Sequence, residues 1–347
     1  TDIRVINLSL LNTDWYIDQA RRKAYLSEAV PFSLTPAEYR QGTRDQVYVF
    51  ADEKMKGHRS VREMIDFIKS KDPKTKFIDD RNKNDDGDIV LDTLSYLPTK
   101  NLYIPINKKL VKANGTIPAN VPDSLIADSL KWTLNKTYMF KADLMVLDLL
   151  ATNNWERPIY FAVTAGSDSY LDLDENFQLE GLAYRLIPPY MSPENSKRSV
   201  FSPARVNTEA MYNNIMNGEK TGWAWGGMDK YDLYMDENNL RMTTNLRIQM
   251  MTLADALIQE GLDSKGTVIN GAKLEKARKV LNKSLEVMPE KNVPYEPTML
   301  YMVEFYYKLG TAADIATGNK LASRLFTLSE QDIRFFDAMK KKKKNVN

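Results

Sequence analysis

The chain has 347 residues, and 48 lysines and arginines against 46 aspartates and glutamates give it a formal net charge of +2. This near-balance argues against a dedicated nucleic-acid binder, which normally carries a clustered basic face. Cysteine is absent, which excludes disulfides, thiol nucleophiles and thiolate metal sites. The single histidine, His58, has lysine and arginine neighbours and is interpreted as a surface residue rather than a member of a catalytic triad or zinc site. Apolar stretches stay far below the roughly 18 residues that span a bilayer.

The first predicted element is a buried strand. Residues 3–10 (IRVINLSL) are a near-continuous apolar run, followed at once by Asn12, Thr13 and Asp14. This pattern predicts a strand that leads into the N-cap of a helix over 15–24. Because a strand buried on both faces needs neighbours, we expect the chain to be part of a longer polypeptide, with an exposed or self-paired edge at this strand.

The rest of the first half alternates predicted strands with predicted helices. The predicted strands cover residues 46–50, 101–106, 159–163 and 181–187, and the predicted helices cover 60–70 and 141–153. Pro105 favours an edge position for its strand, and the Asp-rich stretch 71–100 is predicted to be loop. Asn153, in a left-handed conformation, is expected to end the second helix. These spacings predict an α/β domain of three-layer type over residues 1–204, with a partly parallel sheet.

After about residue 205 the pattern is helical almost throughout. The predicted helices cover residues 208–217, 238–260, 273–288, 296–309 and 312–328. Within the third, small and apolar residues have the offsets of the second helix of a tetratricopeptide repeat. These are Leu274, Ala277, Leu281, Ser284 and Pro289. We therefore expect a helical, tetratricopeptide-like domain over residues 205–347, with Gly310 at the turn of a second helical hairpin.

The domain ends in a lysine-rich tail, Lys340–Lys344. A block of like charge at a chain end is typically solvated and disordered. The alternative is contact with anionic lipid head groups, if the domain is held at a membrane.

Two candidate ligand sites follow from the predicted elements. Asn12, Asp14 and Trp15 would lie at the carboxyl end of the opening strand, where open α/β sheets bind ligands. The alternative is that these residues only cap and support the following helix. Asn154, Trp155 and Arg157 would shape a rim pocket at the entrance of the strand at 159–163. The alternative is a structural turn fixed by Pro158.

Two further candidates lie in loops. Asn82, Asn84, Asp86 and Asp88 occupy calcium-loop positions around Gly87, but Thr93 stands where such loops carry a bidentate acid. An ordinary hydrophilic loop is the alternative. The cluster GWAWGG at 222–227 and the residues after it combine aromatic rings with charge, as glycan or peptide sites do, although inter-domain packing would use the same rings. The candidates here are Trp223, Trp225, Asp236 and Arg241.

Several segments, taken in order, resemble one bacterial protein family. They are RVINLSLLNTDWYIDQ (4–19), YRQGTRDQVY (39–48), DLMVLDLLATNNWERPIYFA (143–162), FQLEGLAYRLIP (177–188) and YMDENNLRMTTNLR (234–247). The family comprises multi-spanning membrane proteins of uncharacterised function that are similar to protein O-mannosyltransferases. The resemblance implies a soluble C-terminal part ending in tetratricopeptide-like helices, placed after a membrane region that holds the presumed transferase centre. It also implies a further strand and helix before the opening strand. It therefore implies no catalytic residue on this chain.

The resemblance and the candidate sites together suggest a first hypothesis: a non-catalytic extracytoplasmic module of a membrane glycosyltransferase-like protein. It would recognise an acceptor protein, a glycan or an assembly partner, besides its own membrane-embedded region. The alternatives are a carboxylate-dependent carbohydrate-active enzyme and a structural scaffold that packs on the membrane region. We expect no cofactor and no nucleic-acid partner. The implied location is the periplasmic side of the inner membrane, tethered through an N-terminal membrane region absent from this chain.

Overall fold

The computed structural model describes residues 2–52, 55–83, 89–191, 199–217 and 224–344. The chain divides into two compact units, each of them discontinuous in sequence. The first unit comprises Thr1–Phe177 with Arg185–Ser192, and the second comprises Gln178–Tyr184 with Pro193–Asn347. Mixed sheets with parallel pairs occupy the N-terminal half and long helices the C-terminal part, which confirms the predicted fold class.

The regular elements follow the predicted order, with several additions. The strands are β1 (Gln46–Val49), β2 (Arg59–Ser60), β3 (Lys76–Lys83), β4 (Ile89–Leu97), β5 (Asn101–Pro105), β6 (Ser129–Thr133), β7 (Tyr138–Phe140), β8 (Tyr160–Ala162), β9 (Phe177–Leu179), β10 (Ala183–Leu186) and β11 (Arg205–Val206). The helices are α1 (Asp14–Ala20), α2 (Pro36–Tyr39), α3 (Val61–Lys69), α4 (Lys108–Ala113), α5 (Lys141–Asn153), α6 (Thr208–Met216), α7 (Glu237–Gly261), α8 (Gly271–Val287), α9 (Met299–Leu309) and α10 (Ala312–Lys344). Every strand and helix predicted after residue 45 has an observed counterpart.

The opening segment is not a strand, so the prediction for residues 3–10 is wrong. Residues 2–7 have no regular structure, and a 3-10 turn covers Leu10–Asn12. Ile3 is 71% exposed and Val5 is 82% exposed, so the apolar run is not buried. No described strand pairs with it, and the expected strand edge therefore does not exist in the described part of the chain.

Local hydrogen bonds explain this departure. The backbone N–H of Asn7 donates to the Tyr16 hydroxyl at 2.8 Å, and the N–H of Leu10 donates to the Asn7 side chain at 3.1 Å. The side chain of Asn7 thus supplies the acceptor that a neighbouring strand would have supplied, which favours a turn over a ladder. The following helix, α1, ends at Ala20 rather than at residue 24.

The first sheet has the strand order β3-β4-β1-β7. β1 runs parallel to β4, with Tyr48 opposite Tyr96, and antiparallel to β7, with Val47 opposite Met139. The antiparallel pair β3–β4 lies in the stretch predicted to be loop, because its strand pattern is hidden among Asp and Asn residues. α3 and α5 contact this sheet and each other, and α3 buries the predicted face. That face consists of Val61, Met64, Ile65 and Ile68.

The second sheet has the order β2-β5-β6, which corrects the predicted edge position of β5. β2 is short and pairs only with Leu102 and Tyr103. Pro105 therefore lies past the last residue of β5 that pairs with β2, so no hydrogen bond between these two strands requires the N–H that proline lacks. A central strand tolerates the proline because its neighbour stops before reaching it.

The second unit is built from helical hairpins. α7 packs against α8, and α9 packs against α10. Four of the five predicted repeat positions, Leu274, Ala277, Leu281 and Ser284, lie in α8 and are buried. The fifth, Pro289, follows the helix and is half-buried. Ala254 and Leu257 on α7 are also buried. Gly310 has φ +75° at the turn between α9 and α10, where a side chain would be strained. Smaller elements complete this unit, including a parallel pair in which Gln178 lies opposite Arg205.

The helix α10 continues to Lys344, so the prediction of a disordered lysine tail is wrong for residues 340–344. Lysine has a high intrinsic helix propensity, and positive charge near a helix C-terminus complements the helix dipole. Among the described helices, none combines the length and the apolarity that crossing a bilayer requires.

Candidate functional site

The N-terminal segment contacts the start of α5 and forms the floor of a candidate site in the first unit. The Oδ1 atom of Asn12 accepts a hydrogen bond from the N–H of Ala142 at 3.0 Å. Asp14 Oδ1 and Asp45 Oδ1 each lie 2.8 Å from the ammonium of Lys141. Two of the predicted site residues, Asn12 and Asp14, thus meet α5, more than a hundred residues away in the chain.

Lys141 is a buried ammonium, with a side chain that is 2% exposed. Burial alone would lower its pKa, but the hydrogen bonds to Asp14 and Asp45 raise the pKa above its ordinary value. Burial likewise acts to raise the pKa of Asp14, and the hydrogen bonds from Lys141 and the Gln41 N–H outweigh it and lower the pKa. For Asp45, burial likewise acts to raise the pKa, but the hydrogen bonds from Lys141 and the Gly42 N–H lower it, so all three groups are held in their charged forms.

The strand β7 leads directly into α5 and presents two aromatic rings at the surface. Tyr138 is 42% exposed and Phe140 is 52% exposed, and their ring centroids lie 5.2 Å apart in an edge-to-face arrangement. They lie on the same side of the strand because they are two residues apart. Asp143 accepts from the Phe140 N–H and from the Lys136 ammonium, both at 3.0 Å. This capping fixes the rings at the start of the helix.

Besides the floor and the aromatic rings of β7, the candidate site has a further side, formed by the 3-10 turn Ser167–Tyr170 and the two residues after it. Leu171 and Asp172 have φ values of +53° and +59°, a conformation uncommon for residues other than glycine. Asp172 Oδ2 accepts from the backbone N–H of Asn135 at 2.8 Å, and Oδ1 accepts from its side chain at 3.2 Å. These contacts hold the strained turn beside the segment that precedes β7.

Together these walls enclose a surface groove of about 440 Å³, which we name the α5 groove. Its lining consists of Leu8, Ser9, Asn12, Asn135, Lys136, Thr137, Tyr138, Phe140, Ala142, Asp143, Val146, Asp168 and Ser169. The volume falls within the range of about 300–1,000 Å³ typical of small-molecule sites. Amide, hydroxyl and carboxylate groups line it beside exposed rings, so it can bind a neutral, hydroxyl-rich ligand by hydrogen bonds and stacking.

Trp15 lies near this region in sequence but does not line the groove. It is 59% exposed, and its ring meets that of Tyr16 at 5.6 Å between centroids. Among the three residues predicted together, the structure thus places Asn12 in the floor of the groove, while Asp14 pairs with Lys141 and does not line the groove.

In the second predicted set, Trp155 and Arg157 have structural contacts in the first unit, whereas Asn154 is exposed. The indole N–H of Trp155 donates to the Pro105 carbonyl at 2.8 Å, and Arg157 donates to the Ala29 carbonyl at 3.0 Å. The cavity beside Trp155 and Arg157 is about 10 Å³, no more than a single water needs.

The backbone there differs from the predicted turn. The left-handed residues are Asn154 (φ +46°) and Trp155 (φ +62°), and not Asn153. Asn153 remains in the helix and is buried, and its side-chain amide donates to the Arg157 carbonyl at 2.8 Å. The tertiary contact of this amide keeps Asn153 helical and moves the chain reversal one residue later.

The third predicted set lies partly within the described chain. Trp225 is half-buried, whereas Trp223 lies outside the described residues. Asp236 accepts from the Asn239 N–H at 2.8 Å and so caps α7, and Arg241 donates to Asn238 at 3.4 Å. Asp236 and Arg241 therefore have local partners on their own helix.

The weak calcium candidate is only partly described. Asn82 belongs to β3, while Asn84, Asp86 and Asp88 lie outside the described residues. The end of the proposed loop is strand, since Thr93 of β4 lies opposite Ile78 of β3. No cluster of three acidic or histidine side chains suited to a metal occurs in the part of the chain that the structure describes.

Sequence reasoning missed most of the groove, namely Lys136, Tyr138, Phe140, Asp143 and Asp168. One local signal was present in NKTYMFKAD (135–143), where two aromatics two residues apart precede a helix with an acid in its first turn. That signal indicates a short strand with a ring-bearing face leading into a capped helix. Nothing local connects it with Asn12 or Asp168.

The fold and this groove define an α/β unit with a ligand-sized polar groove edged by aromatic rings, in a chain that continues into helical hairpins. A family model described as TMEM260-associated domain 2 matches residues 1–210. The match covers more than half of the chain, and the chain belongs to this family. The comparison with curated proteins and the comparison with solved structures each gave no significant match.

Proposed function

We propose that this chain is a non-catalytic recognition module that binds a glycan in the α5 groove. The observation that carries the proposal is the pair of exposed rings, Tyr138 and Phe140, in a groove whose other walls present amides, hydroxyls and carboxylates. A sugar has an apolar face of C–H groups and an edge of hydroxyls. A ring face and nearby hydrogen-bonding groups therefore suit its two sides.

The setting that we propose follows the resemblance to bacterial membrane proteins similar to protein O-mannosyltransferases. Membership of the TMEM260-associated domain 2 family is consistent with this setting. The module would lie on the periplasmic side of the inner membrane, tethered through a membrane region. Its partners would be that region and an acceptor protein or its glycan, and the tetratricopeptide-like hairpins would offer a further surface for protein.

A carboxylate-dependent enzyme is the second candidate, because Asp143 and Asp168 line the same groove. Asp143, however, caps α5 and binds the Lys136 ammonium. Among the described lining residues this leaves Asp168 as the one carboxylate without a structural hydrogen bond. We prefer recognition over hydrolysis for that reason.

The test is a glycan array followed by isothermal titration with the glycan that binds most tightly. Removing a stacking ring with Tyr138→Ala should weaken the affinity about tenfold, or ~1.4 kcal/mol. The matched control is Tyr234→Ala, since Tyr234 is 95% exposed and belongs to the other unit. It should leave the affinity unchanged.

Three outcomes would count against the proposal. Loss of binding in Tyr234→Ala but not in Tyr138→Ala would move the site to the surface around Tyr234 in the second unit. Glycoside turnover that disappears in Asp168→Asn would establish the enzyme. Binding to no glycan would favour the structural scaffold.

A further inference from the structure

The helix α10 leaves the packed helices after Leu325. Asp314, Leu321 and Leu325 are 2%, 5% and 7% exposed, whereas none of the described side chains from 326 to 340 is buried. The helical backbone nevertheless continues to Lys344. At a rise of 1.5 Å per residue, this part of the helix is about 28 Å long. We name residues 326–344 the α10 extension.

The α10 extension is amphipathic. Its exposed large apolar side chains are Phe326 (66%), Ile333 (61%), Phe335 (60%), Phe336 (59%) and Met339 (48%). With a turn of about 100° per residue, these positions fall on one half of the helix circumference. Glu330, Arg334 and Asp337 fall on the other half, whereas Asp332 lies among the apolar positions. A helix that exposes this much apolar surface on one side needs a partner to cover it.

The charge beside this apolar half indicates the kind of partner. Five consecutive lysines occupy positions 340–344, directly after Met339. Aromatic and aliphatic side chains on one face together with clustered lysines are typical of helices that lie in the interface of an anionic bilayer. A second copy aligned in parallel would instead bring two blocks of like charge together.

We propose that the α10 extension docks on an anionic lipid bilayer. Phe335, Phe336 and Met339 enter the boundary between head groups and acyl chains, and the lysine run adds electrostatic attraction to acidic head groups. The α10 extension shares no residue with the α5 groove, and its docking does not depend on glycan binding there.

The experiment is co-sedimentation of the whole chain with phosphatidylcholine vesicles, with and without phosphatidylserine. We expect binding to the anionic vesicles to be at least about tenfold tighter than to the neutral ones. The double substitution Phe335→Ser/Phe336→Ser should reduce binding to anionic vesicles by about tenfold or more. Replacing the five lysines with glutamine should abolish the preference for phosphatidylserine.

Two further variants sharpen the result. Ile3→Ser/Val5→Ser removes an apolar pair that is 71% and 82% exposed but has no lysine run beside it, and it should bind vesicles as the parent does. Asp332 lies among the apolar positions of the helix, so Asp332→Asn should strengthen vesicle binding because it removes a charge repelled by acidic lipids. Circular dichroism checks that each variant is folded.

The proposal is overturned if neutral and anionic vesicles bind equally, or if Phe335→Ser/Phe336→Ser binds anionic vesicles as the parent does. It is also overturned if the chain binds no vesicle. If sedimentation then shows a dimer that Phe335→Ser/Phe336→Ser dissociates, a second copy covers this surface.

Discussion

At the scale of single residues, Lys141 explains how the N-terminal segment is held against α5. Its ammonium is buried between the carboxylates of Asp14 and Asp45, which are 31% and 50% exposed. Lys141→Met should lower the free energy of unfolding at pH 7 by about 1–2 kcal/mol, a value discounted because both carboxylates reach solvent. Urea unfolding followed by circular dichroism measures this change, and Lys109→Met, at an exposed lysine of α4, is the matched control.

The same ion pairs predict how this difference depends on pH. The pKa values of Asp14 and Asp45 are lowered in the folded state, so their pairing stabilises the fold above the ordinary carboxyl pKa of 3.8. That stabilisation is lost as the pH falls through the lowered values. At high pH the raised pKa of Lys141 has the corresponding effect. The stabilisation is complete below the ordinary lysine pKa of 10.5 and is lost as the pH rises above that value towards the raised pKa. The difference in the free energy of unfolding between the parent and Lys141→Met should therefore become smaller below about pH 4. If this difference stayed constant from pH 7 to pH 3, the ion pairs of Lys141 with Asp14 and Asp45 would not be its source.

Individual site residues were predictable only where the signal was local. Asn12 and Asp14 stand out because polar residues follow an apolar run, and both contact α5. Their partners Ala142 and Lys141 come more than a hundred residues later, and no spacing in the sequence connects them. Trp155 shows the opposite error. An aromatic residue next to charged residues suggests a rim pocket, but the indole N–H of Trp155 donates to the Pro105 carbonyl and so has a structural role.

At the scale of elements, two glycines test how closely α7 and α8 pack. A Cβ on Gly261 would lie 2.4 Å from Cδ2 of Leu274, whereas a Cβ on Gly271 would meet no atom within 4 Å. Gly261→Ala should therefore destabilise the chain by about 1–3 kcal/mol, because Leu274 must move in a packed core. Gly271→Ala, at the start of α8, should be neutral or stabilising by about 0.5 kcal/mol.

Urea unfolding of both glycine variants under identical conditions measures this contrast. If the two substitutions changed the free energy of unfolding equally, helix propensity would determine the effect, and not the close packing of α7 against α8. A stable Gly261→Ala variant would show that Leu274 can move without cost.

Elements were predictable where periodicity and burial coincide. The spacing of Val61, Met64, Ile65 and Ile68 predicts α3, and all four side chains are buried. The apolar pattern at residues 3–10 is as clear as that of α3, but no described strand lies beside it. A strand depends on a partner elsewhere in the chain, whereas a helix satisfies its own backbone. This difference also explains why β3 and β4, within Asp-rich sequence, were missed.

At the scale of the whole molecule, the division into two compact units predicts that stability is local. Lys141 lies in the first unit and Gly261 in the second. Substitutions at distant, independent sites usually act additively and on separate cooperative regions. Lys141→Met should therefore speed hydrogen exchange in α3 and α5, while Gly261→Ala should speed it in α7 and α8.

Native-state hydrogen exchange in low urea, read by mass spectrometry, tests this separation. For peptides of the other unit, each variant should leave the opening free energy within about 0.5 kcal/mol of the parent value. If either substitution accelerated exchange equally in both sets of helices, the two units would unfold as one cooperative body. Because the α5 groove belongs to the first unit alone, the expected result also implies that the second unit can be altered, including its α10 extension, without loss of the groove.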